Sequence, residues 1–188
     1  MGNTYFTDPL AFIINTLVGL YVLVIMLRFL LAWVRADFYN PVSQFLVKAT
    51  NPLLMPLRRI IPPLGRVDSA SLVLMLLVQM AGVLLIMLVN GSGSALWTAL
   101  VLSLHELVSL AFNVFLFAII IQAIMSWINP HVHNPVTSLL YSLTNPVLAP
   151  FRRLLPPISG LDLSPLLAIL AIQVAKMLVL PLFSLLLR

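Results

Sequence analysis

The segment TNPLLMPLRRIIPP at residues 50–63 occurs a second time as TNPVLAPFRRLLPP at residues 144–157. A shorter segment repeats with the same spacing, since NPVS at residues 40–43 returns as NPVT at residues 134–137. Each second copy lies 94 positions downstream (144 − 50 = 134 − 40 = 94), which is half of the 188 residues. Similarity at a fixed spacing is typical of tandem structural units. We therefore expect two units of one fold, residues 1–93 and residues 94–188.

The composition indicates a membrane protein. Hydrophobic residues make up 62% of the chain and charged residues 8%, which leaves too few polar side chains to cover a surface in water. Four apolar runs reach about the 20 residues that a helix needs to cross a bilayer, namely residues 9–33, 71–89, 107–127 and 164–187. We predict an all-α membrane protein with four transmembrane helices in two tandem two-helix repeats. The helical pattern also continues upstream of the third run, so we expect residues 95–104 to lie along the outer surface or to prolong a tilted helix.

The loop between the spans of each unit carries two Asn-Pro pairs. The asparagine can cap free backbone N–H groups, and proline suits the first position of a helix. The pattern predicts two short amphipathic interfacial helices in each loop, beginning at Asn40-Pro41 and Asn51-Pro52 in the first unit and at Asn134-Pro135 and Asn145-Pro146 in the second. Asp8-Pro9 likewise predicts the start of the first span. The double prolines at residues 62–63 and 156–157 predict the ends of the loop helices, because proline cannot continue the backbone ladder.

Basic residues are concentrated in the two loops, whereas the N-terminal tail and residues 90–94 carry none. By the positive-inside rule, both long loops face the cytoplasm and both termini lie outside. Each unit has two spans, so both units enter the membrane in the same orientation. We expect them to be related by a pseudo-twofold axis along the membrane normal. Because topology explains the placement of the basic residues, the net charge of +5 predicts no direct nucleic-acid partner.

Polar residues inside apolar spans are the best indicators of function in a membrane protein. Gln79 and Gln173 are equivalent, 94 positions apart, and we expect them to bond each other across the pseudo-twofold axis or to line a central pathway. Lys176 lies on the same helix face as Gln173. It is expected to reach the outer interface or to pair with Glu106 or Asp8, and the functional alternative is a site for an anion or an exchangeable proton.

Five arginines also call for an explanation. Arg28, whose equivalent is Gln122, lies near the cytoplasmic boundary, where it could contact headgroups or meet Asp68. The two arginine pairs follow their Asn-Pro segments by the same spacing and can bind anionic lipid phosphates, a partner protein, or the aspartates that recur six residues after each double proline. The residues concerned are Arg58, Arg59, Arg152 and Arg153 for the pairs, and Asp68 and Asp162 for the aspartates.

Catalytic motifs are absent from the sequence, so we expect no enzyme and no cofactor. There is no cysteine, no Gly-rich phosphate loop, no HExxH and no nucleophile elbow. His105 and Glu106 are adjacent on a helix and therefore diverge by about 100° rather than converging on one metal ion. His131 and His133 lie in the loop at the other end.

The segment DFYNPVSQF at residues 37–45, followed by PLRRIIP at residues 56–62, strongly resembles the YggT (YlmG) family of small integral membrane proteins. The resemblance covers essentially the whole chain as two tandem YGGT units, and it implies a multi-pass protein of the bacterial inner (plasma) membrane. The second unit departs from the pattern at residues 129–133, NPHVH, where the Asp-Phe-Tyr lead is missing. Relatives are implied to act in osmotic-stress tolerance and ion homeostasis, in cell or organelle division, or in maturation of a membrane cytochrome.

We therefore expect a non-enzymatic inner-membrane protein that supports envelope or osmotic-stress and ion homeostasis. It would act by lateral assembly with itself, with anionic membrane lipids or with a membrane-protein partner. The first alternative is an oligomeric ion or small-solute channel or transporter, in which Gln79, Gln173 and Lys176 line a pathway. The second is a membrane assembly factor for cell division or cytochrome maturation.

Overall fold

The computed structural model describes residues 4–65, 67–93, 95–128, 134–154 and 162–187, with only the backbone for Thr4, Tyr5 and Trp127. These residues form six helices: α1 Thr4–Trp33, α2 Pro41–Ile60, α3 Ser69–Val89, α4 Leu96–Ile128, α5 Pro135–Leu154 and α6 Ser164–Leu185. Helices α1, α3, α4 and α6 are long and apolar enough to cross a membrane. The predicted all-α membrane protein with four spans in two tandem pairs is confirmed. Arg66, His131, His133 and the second double proline lie outside the described residues.

Two spans begin earlier than the sequence pattern predicted. Helix α1 starts at Thr4, with Pro9 inside it, so the predicted start at Asp8-Pro9 is wrong. The carbonyl that Pro9 leaves without a donor is that of residue 5, in the first turn, so the lost bond weakens only the end of the helix. Helix α4 starts at Leu96 and runs without interruption to Ile128, so residues 96–104 prolong the third span.

Each loop forms one helix of 20 residues, and the prediction of two short helices per loop is wrong. Pro52 and Pro146, together with their neighbours Pro56 and Pro150, lie inside α2 and α5. In α2 the carbonyl that loses its donor to Pro52 belongs to Lys48, and both residues are exposed. The orphaned carbonyl can therefore bond to water or headgroups, and packing of the opposite face holds the helix together.

The buried face of α2 consists of Ser43, Leu46, Thr50 and Leu54, which recur at helical spacing. It packs on α1 and α3, just as α5 packs on α4 and α6. The principal core lies around α1 and α3 and includes Val22, Ile25 and Met75, together with Val114 and Ala118 from the second unit. We call the end of the molecule at which α2 and α5 lie the loop end. The opposite end, at residues 90–95, is the linker end.

The spans are arranged so that α1 packs on α3, α3 on α4, and α4 on α6. A pseudo-twofold axis would map the α3–α4 contact onto a contact between α6 and α1, and no such contact occurs between these helices. The expected pseudo-twofold axis between the units is therefore wrong. The short linker forces α3 and α4 into an antiparallel hairpin, whereas nothing in the chain draws α6 back to α1. Of the five other described helices, α6 contacts α4 and α5, and it therefore lies at the edge.

Candidate functional site

One arginine and one aspartate hold the loop end of each unit. Arg58 of α2 forms an ion pair with Asp68, which directly precedes α3. The equivalent Arg152 of α5 lies 3.0 Å (Nε to Oδ2) from Asp162, just before α6. Each pair ties the last turn of a loop helix to the start of the following span.

The surroundings of both aspartates favour the charged carboxylate. Burial raises the pKa of Asp68, but hydrogen bonds from Arg58 and from Ser71 (Oγ to Oδ2, 2.7 Å) outweigh it, so the pKa lies below its usual value. Burial is likewise outweighed at Asp162, by hydrogen bonds from Ser164 (backbone N to Oδ1, 2.9 Å) and from Arg152, which also leave the pKa lowered. Both carboxylates are therefore ionised at neutral pH.

The second arginine of each pair is placed differently. Arg59 and Arg153 are exposed and form no ion pair with the described residues, which include all five carboxylates of the chain. The two arginines of each pair therefore have different positions. Arg58 and Arg152 bind aspartates, whereas Arg59 and Arg153 present their guanidinium groups outward at the loop end.

Arg28 is buried, with 8% of its surface exposed, and joins α1 to α2. Its Nη1 donates to Thr50 Oγ1 and to the carbonyl of Val47 at 3.4 Å. The contact with Asp68 that the sequence suggested is not formed, because the guanidinium points into the buried face of α2. A buried arginine therefore joins a span to its loop helix.

Gln122, the equivalent of Arg28, contacts Thr144 in the second unit in the same way. Thr144 Oγ1 also donates to the carbonyl of Leu140 at 2.7 Å, and a hydroxyl has a single proton. We therefore assign the amide nitrogen of Gln122, rather than its oxygen, as the donor to Thr144. The two units thus share one hydrogen-bond arrangement and differ by a charge.

Asn40 caps α2 and also joins the two units. Its Oδ1 accepts from the backbone N of Val42 at 2.9 Å, with Pro41 at the first helical position as predicted. Its Nδ2 donates to the carbonyl of Pro135 at 2.7 Å and lies 3.3 Å from Ser138 Oγ at the start of α5. The first turns of α2 and α5 therefore meet at the loop end.

The remaining Asn-Pro asparagines have separate roles. Asn134 accepts from the backbone N of Thr137 at 2.8 Å and caps α5. Asn145 lies inside α5, where its Oδ1 accepts from Arg152 Nη1 at 2.9 Å. Asn51 lies inside α2 and begins no helix.

Gln79 forms a polar contact in the middle of α3. It lies ten residues after the start of α3, about 15 Å along the helix, and is buried. Its Nε2 donates to Glu106 Oε2 of α4 at 2.7 Å. The expected bond between Gln79 and Gln173 is not formed, because α6 lies on the far side of α4.

Lys176 binds Asn113 of α4, its Nζ lying 2.6 Å from Oδ1. Neither of the carboxylates suggested from the sequence, Glu106 and Asp8, is its partner. The neutral amide satisfies one of the three ammonium donors and leaves the charge uncompensated.

A groove of about 520 Å³ runs between α4 and α6. It is lined mostly by apolar residues, with Gln173, Lys176 and His105 among them, and the His105 ring packs edge-on against Phe183 at 5.9 Å. Gln173 itself is exposed. Nowhere in the described part of the chain do three His, Asp or Glu side chains come together as metal ligands.

Sequence analysis missed Thr50, Thr144 and Asn113 as partners of the intramembrane polar residues. A signal for the threonines was present, because they recur 94 positions apart, as Arg28 and Gln122 do. Asn113 gave no such signal, since its equivalent is Gly19.

Comparison with known proteins places this architecture in a family. The family model CCB3/YggT matches the chain twice, over residues 7–89 and 101–183. The uncharacterized protein PA0392 of Pseudomonas aeruginosa is 49% identical over 170 residues, covering 89% of this chain and 86% of the relative. The uncharacterized protein YggT of Escherichia coli K12 is 37% identical over 170 residues, covering 90% and 88%. A protein of Vibrio alginolyticus, described as uncharacterized and in the proC 3' region, is 40% identical over 173 residues, covering 91% and 93%.

No solved structure matches the chain. The two matches of the family model coincide with the two helical pairs, α1 to α3 and α4 to α6. Because the family model matches both units and the relatives are 37–49% identical over most of their length, the chain belongs to the CCB3/YggT family, as a membrane protein of two tandem units.

Proposed function

We propose that this chain is a non-enzymatic integral protein of the bacterial inner membrane that supports envelope or osmotic-stress and ion homeostasis. It does so by lateral assembly with itself, with anionic lipids or with a membrane-protein partner. The physiological part of the proposal rests on the family resemblance. The mode of action rests on α6, and the single observation that carries it is the exposed Gln173.

Gln173 lies in the middle of α6, where it is exposed at the groove between α4 and α6. Its apolar neighbours on the helix, Leu170, Val174 and Met177, are also more than half exposed. Lipid tails offer a carboxamide no hydrogen-bond partner, whereas a neighbouring helix does. In the first unit the equivalent Gln79 obtains such a partner from Glu106. A protein neighbour against α6 would supply the same for Gln173.

The lipid component of the proposal rests on Arg59 and Arg153. Both lie at the loop end without a carboxylate partner among the described residues. With the loops on the cytoplasmic side, as the positive-inside rule predicts, these guanidinium groups face the anionic leaflet. Each basic side chain near such a surface contributes about 1 kcal/mol of attraction.

Cross-linking at single cysteines tests lateral assembly, since the natural chain has no cysteine. Val174→Cys places a thiol on the exposed face of α6, and Leu85→Cys places one on an exposed position of α3 as the matched control. After labelling with a photoreactive maleimide in native membranes, we expect Val174→Cys to form a product of higher mass. Adding Gln173→Leu should reduce its yield. Equal yields at both positions, or none at Val174→Cys, would contradict the proposal.

The lipid component has its own test. Native mass spectrometry of the purified protein should show fewer retained phosphatidylglycerol molecules for the double variant Arg59→Gln, Arg153→Gln. Retention of phosphatidylethanolamine should be unchanged. Unaltered phosphatidylglycerol retention would contradict the proposed binding of anionic lipid by Arg59 and Arg153.

A transport function is the second candidate, and the groove between α4 and α6 favours it. Four spans make too little wall for a pore, but a second copy covering α6 would enclose the groove that carries Gln173 and Lys176. Potassium flux into liposomes from the reconstituted protein tests this function. Flux that is unchanged by Lys176→Ala would exclude this groove as the pathway.

A further inference from the structure

A cavity of about 260 Å³ lies at the loop end of the first unit, separate from Arg59 and Arg153. Three arginines from three different segments line it: Arg28 from α1, Arg35 from the turn after α1, and Arg58 from α2. No aspartate or glutamate is among the described residues that line it. The cavity wall therefore concentrates positive charge.

This charge is only partly compensated. Arg58 has an ionic partner, Asp68, which lies outside the cavity wall. Arg28 is more than nine-tenths buried and donates only to neutral acceptors, the hydroxyl of Thr50 and the carbonyl of Val47. Arg28 has no ion pair of its own with the described residues, and Asp68 acts on it only without direct contact. A buried guanidinium in that position is unfavourable, and an anion in the cavity would relieve the cost.

Arg35 adds a second uncompensated cation at the mouth of the cavity. Its side chain is exposed and has no ion pair within the described parts of the chain. Its backbone is left-handed, with φ of 56°, the one such non-glycine residue among those described. That conformation is unfavourable for a side chain with a Cβ. This turn places Arg35 beside the last residues of α1.

We propose that this cavity binds a phosphate monoester or diester, with Arg28, Arg35 and Arg58 as its ligands. Guanidinium groups donate paired N–H bonds that match the oxygens of a phosphate. Apolar side chains, including Leu31 and Phe38, line the same cavity beside the arginines. In a ligand whose phosphate carries a glycerol ester, the phosphate would contact the arginines and the less polar part would contact the apolar side chains.

The second unit lacks this site and provides an internal control. Gln122 replaces Arg28, and Asn129 stands in the sequence where the first unit has Arg35. Because Gln122 makes the hydrogen bond to Thr144 that Arg28 makes to Thr50, Arg28→Gln has a native precedent in the same protein. The variant removes the charge and keeps a donor for Thr50.

This inference rests on the proposed function, because both place an anionic group at the loop end. The variants distinguish the two proposals, because they change different arginines. The full-length protein in neutral detergent is titrated with short-chain phosphatidylglycerol and, separately, with inorganic phosphate. Binding is followed by calorimetry. We expect Arg28→Gln and Arg35→Gln to weaken binding about 10- to 100-fold, as the loss of one charge-assisted bond implies. Lys48→Gln, which removes an exposed cation of α2 that does not line the cavity, should leave it unchanged.

The ligand arms identify the source of the phosphate. Binding of the lipid alone, lost in Arg28→Gln, supports a phospholipid headgroup site, and binding of both probes supports a site for the phosphate group itself. Binding that is equal in the wild type and both variants, or absent in the wild type, overturns the proposal. If Arg28→Gln lowers the unfolding temperature, Arg35→Gln, which changes an exposed turn, decides the outcome. If the cavity binds neither probe, the cross-linking result expected at Val174→Cys does not change, so the two proposals can fail separately.

Discussion

Gly82 of α3 packs against Val18 of α1 so closely that a Cβ at position 82 would lie 2.7 Å from Val18 Cγ1. The equivalents of Gly82 and Gly19 in the second unit are Lys176 and Asn113, which are hydrogen-bonded at 2.6 Å. The two units therefore join their spans by different means at the same place. The first uses close contact at a glycine, as is common between membrane helices, and the second uses a polar pair.

A methyl group at position 82 should destabilise the helix pair of the first unit. Gly82→Ala forces the stiff Val18 side chain to move, and such overpacking costs about 1–3 kcal/mol. Gly19→Ala is the matched control, because a Cβ there meets nothing within 4 Å. We expect Gly82→Ala to unfold at a lower temperature in detergent than Gly19→Ala, and Val18→Ala to rescue it. Equal stability of the two glycine variants would contradict close contact at Gly82.

The bond between Lys176 and Asn113 should appear as a coupling energy. A double-mutant cycle with Lys176→Ala and Asn113→Ala is expected to give about 0.6 kcal/mol and at most about 1.7 kcal/mol, the average and the maximum for polar contacts between membrane helices. The measurement is reversible unfolding in mixed micelles. A coupling energy near zero would show that the ammonium takes its partner from solvent or headgroups instead.

The two interhelical threonines should differ in their contribution to stability. Thr50→Val removes a bond to a charged donor, at a cost of about 1.5–3 kcal/mol, whereas Thr144→Val removes a neutral bond, at about 0.5–1.5 kcal/mol. Thr16→Val serves as the control, because the exposed Thr16 bonds only to the carbonyl of Phe12 in its own helix. Chemical denaturation of the three variants in one detergent checks the order. A larger loss of stability in Thr144→Val than in Thr50→Val would show that the charge of Arg28 does not strengthen its bond to Thr50.

The loop-end ion pairs should make stability depend on acid pH. The pKa values of Asp68 and Asp162 are lowered in the folded protein, so their contribution is present above the ordinary value of 3.8 and is lost as the pH falls through the lowered values. We expect the unfolding temperature of the wild type to drop between pH 5 and strongly acid pH. The double variant Asp68→Asn, Asp162→Asn should show a smaller drop. Asp8→Asn, which affects neither pair, should behave as the wild type does.

Sequence patterns predicted the elements of the fold well where the cause is local. Apolar runs of sufficient length predicted all four spans, and Asn40-Pro41 predicted the start of α2, because capping and the fixed φ of proline act within one turn. Asn51-Pro52 carries the same local signal and begins no helix. Whether a proline ends a helix depends on what the orphaned carbonyl meets and how the opposite face packs, and neither is local.

The partners of polar residues were harder to predict than the residues themselves. Gln79, Lys176 and Arg28 stand out because lipid offers them no hydrogen-bond partner. Their partners Glu106, Asn113 and Thr50 depend on which helix packs beside which. The two glutamines were expected to meet, yet the linker places α4 between them.

The sequence by itself determined that the chain has two like units, that it has four helices long and apolar enough to cross a membrane, and that basic residues are concentrated in the two loops, because repetition, length and hydropathy are properties of the chain. The tertiary structure decided that α6 does not pack on α1, so that the two units are not related by a twofold axis. It also decided that Arg58 and Arg152 bind aspartates while Arg59 and Arg153 do not, and that three arginines of the first unit line one cavity. These outcomes follow from packing between distant segments, where a single neighbour determines whether a buried charge is compensated.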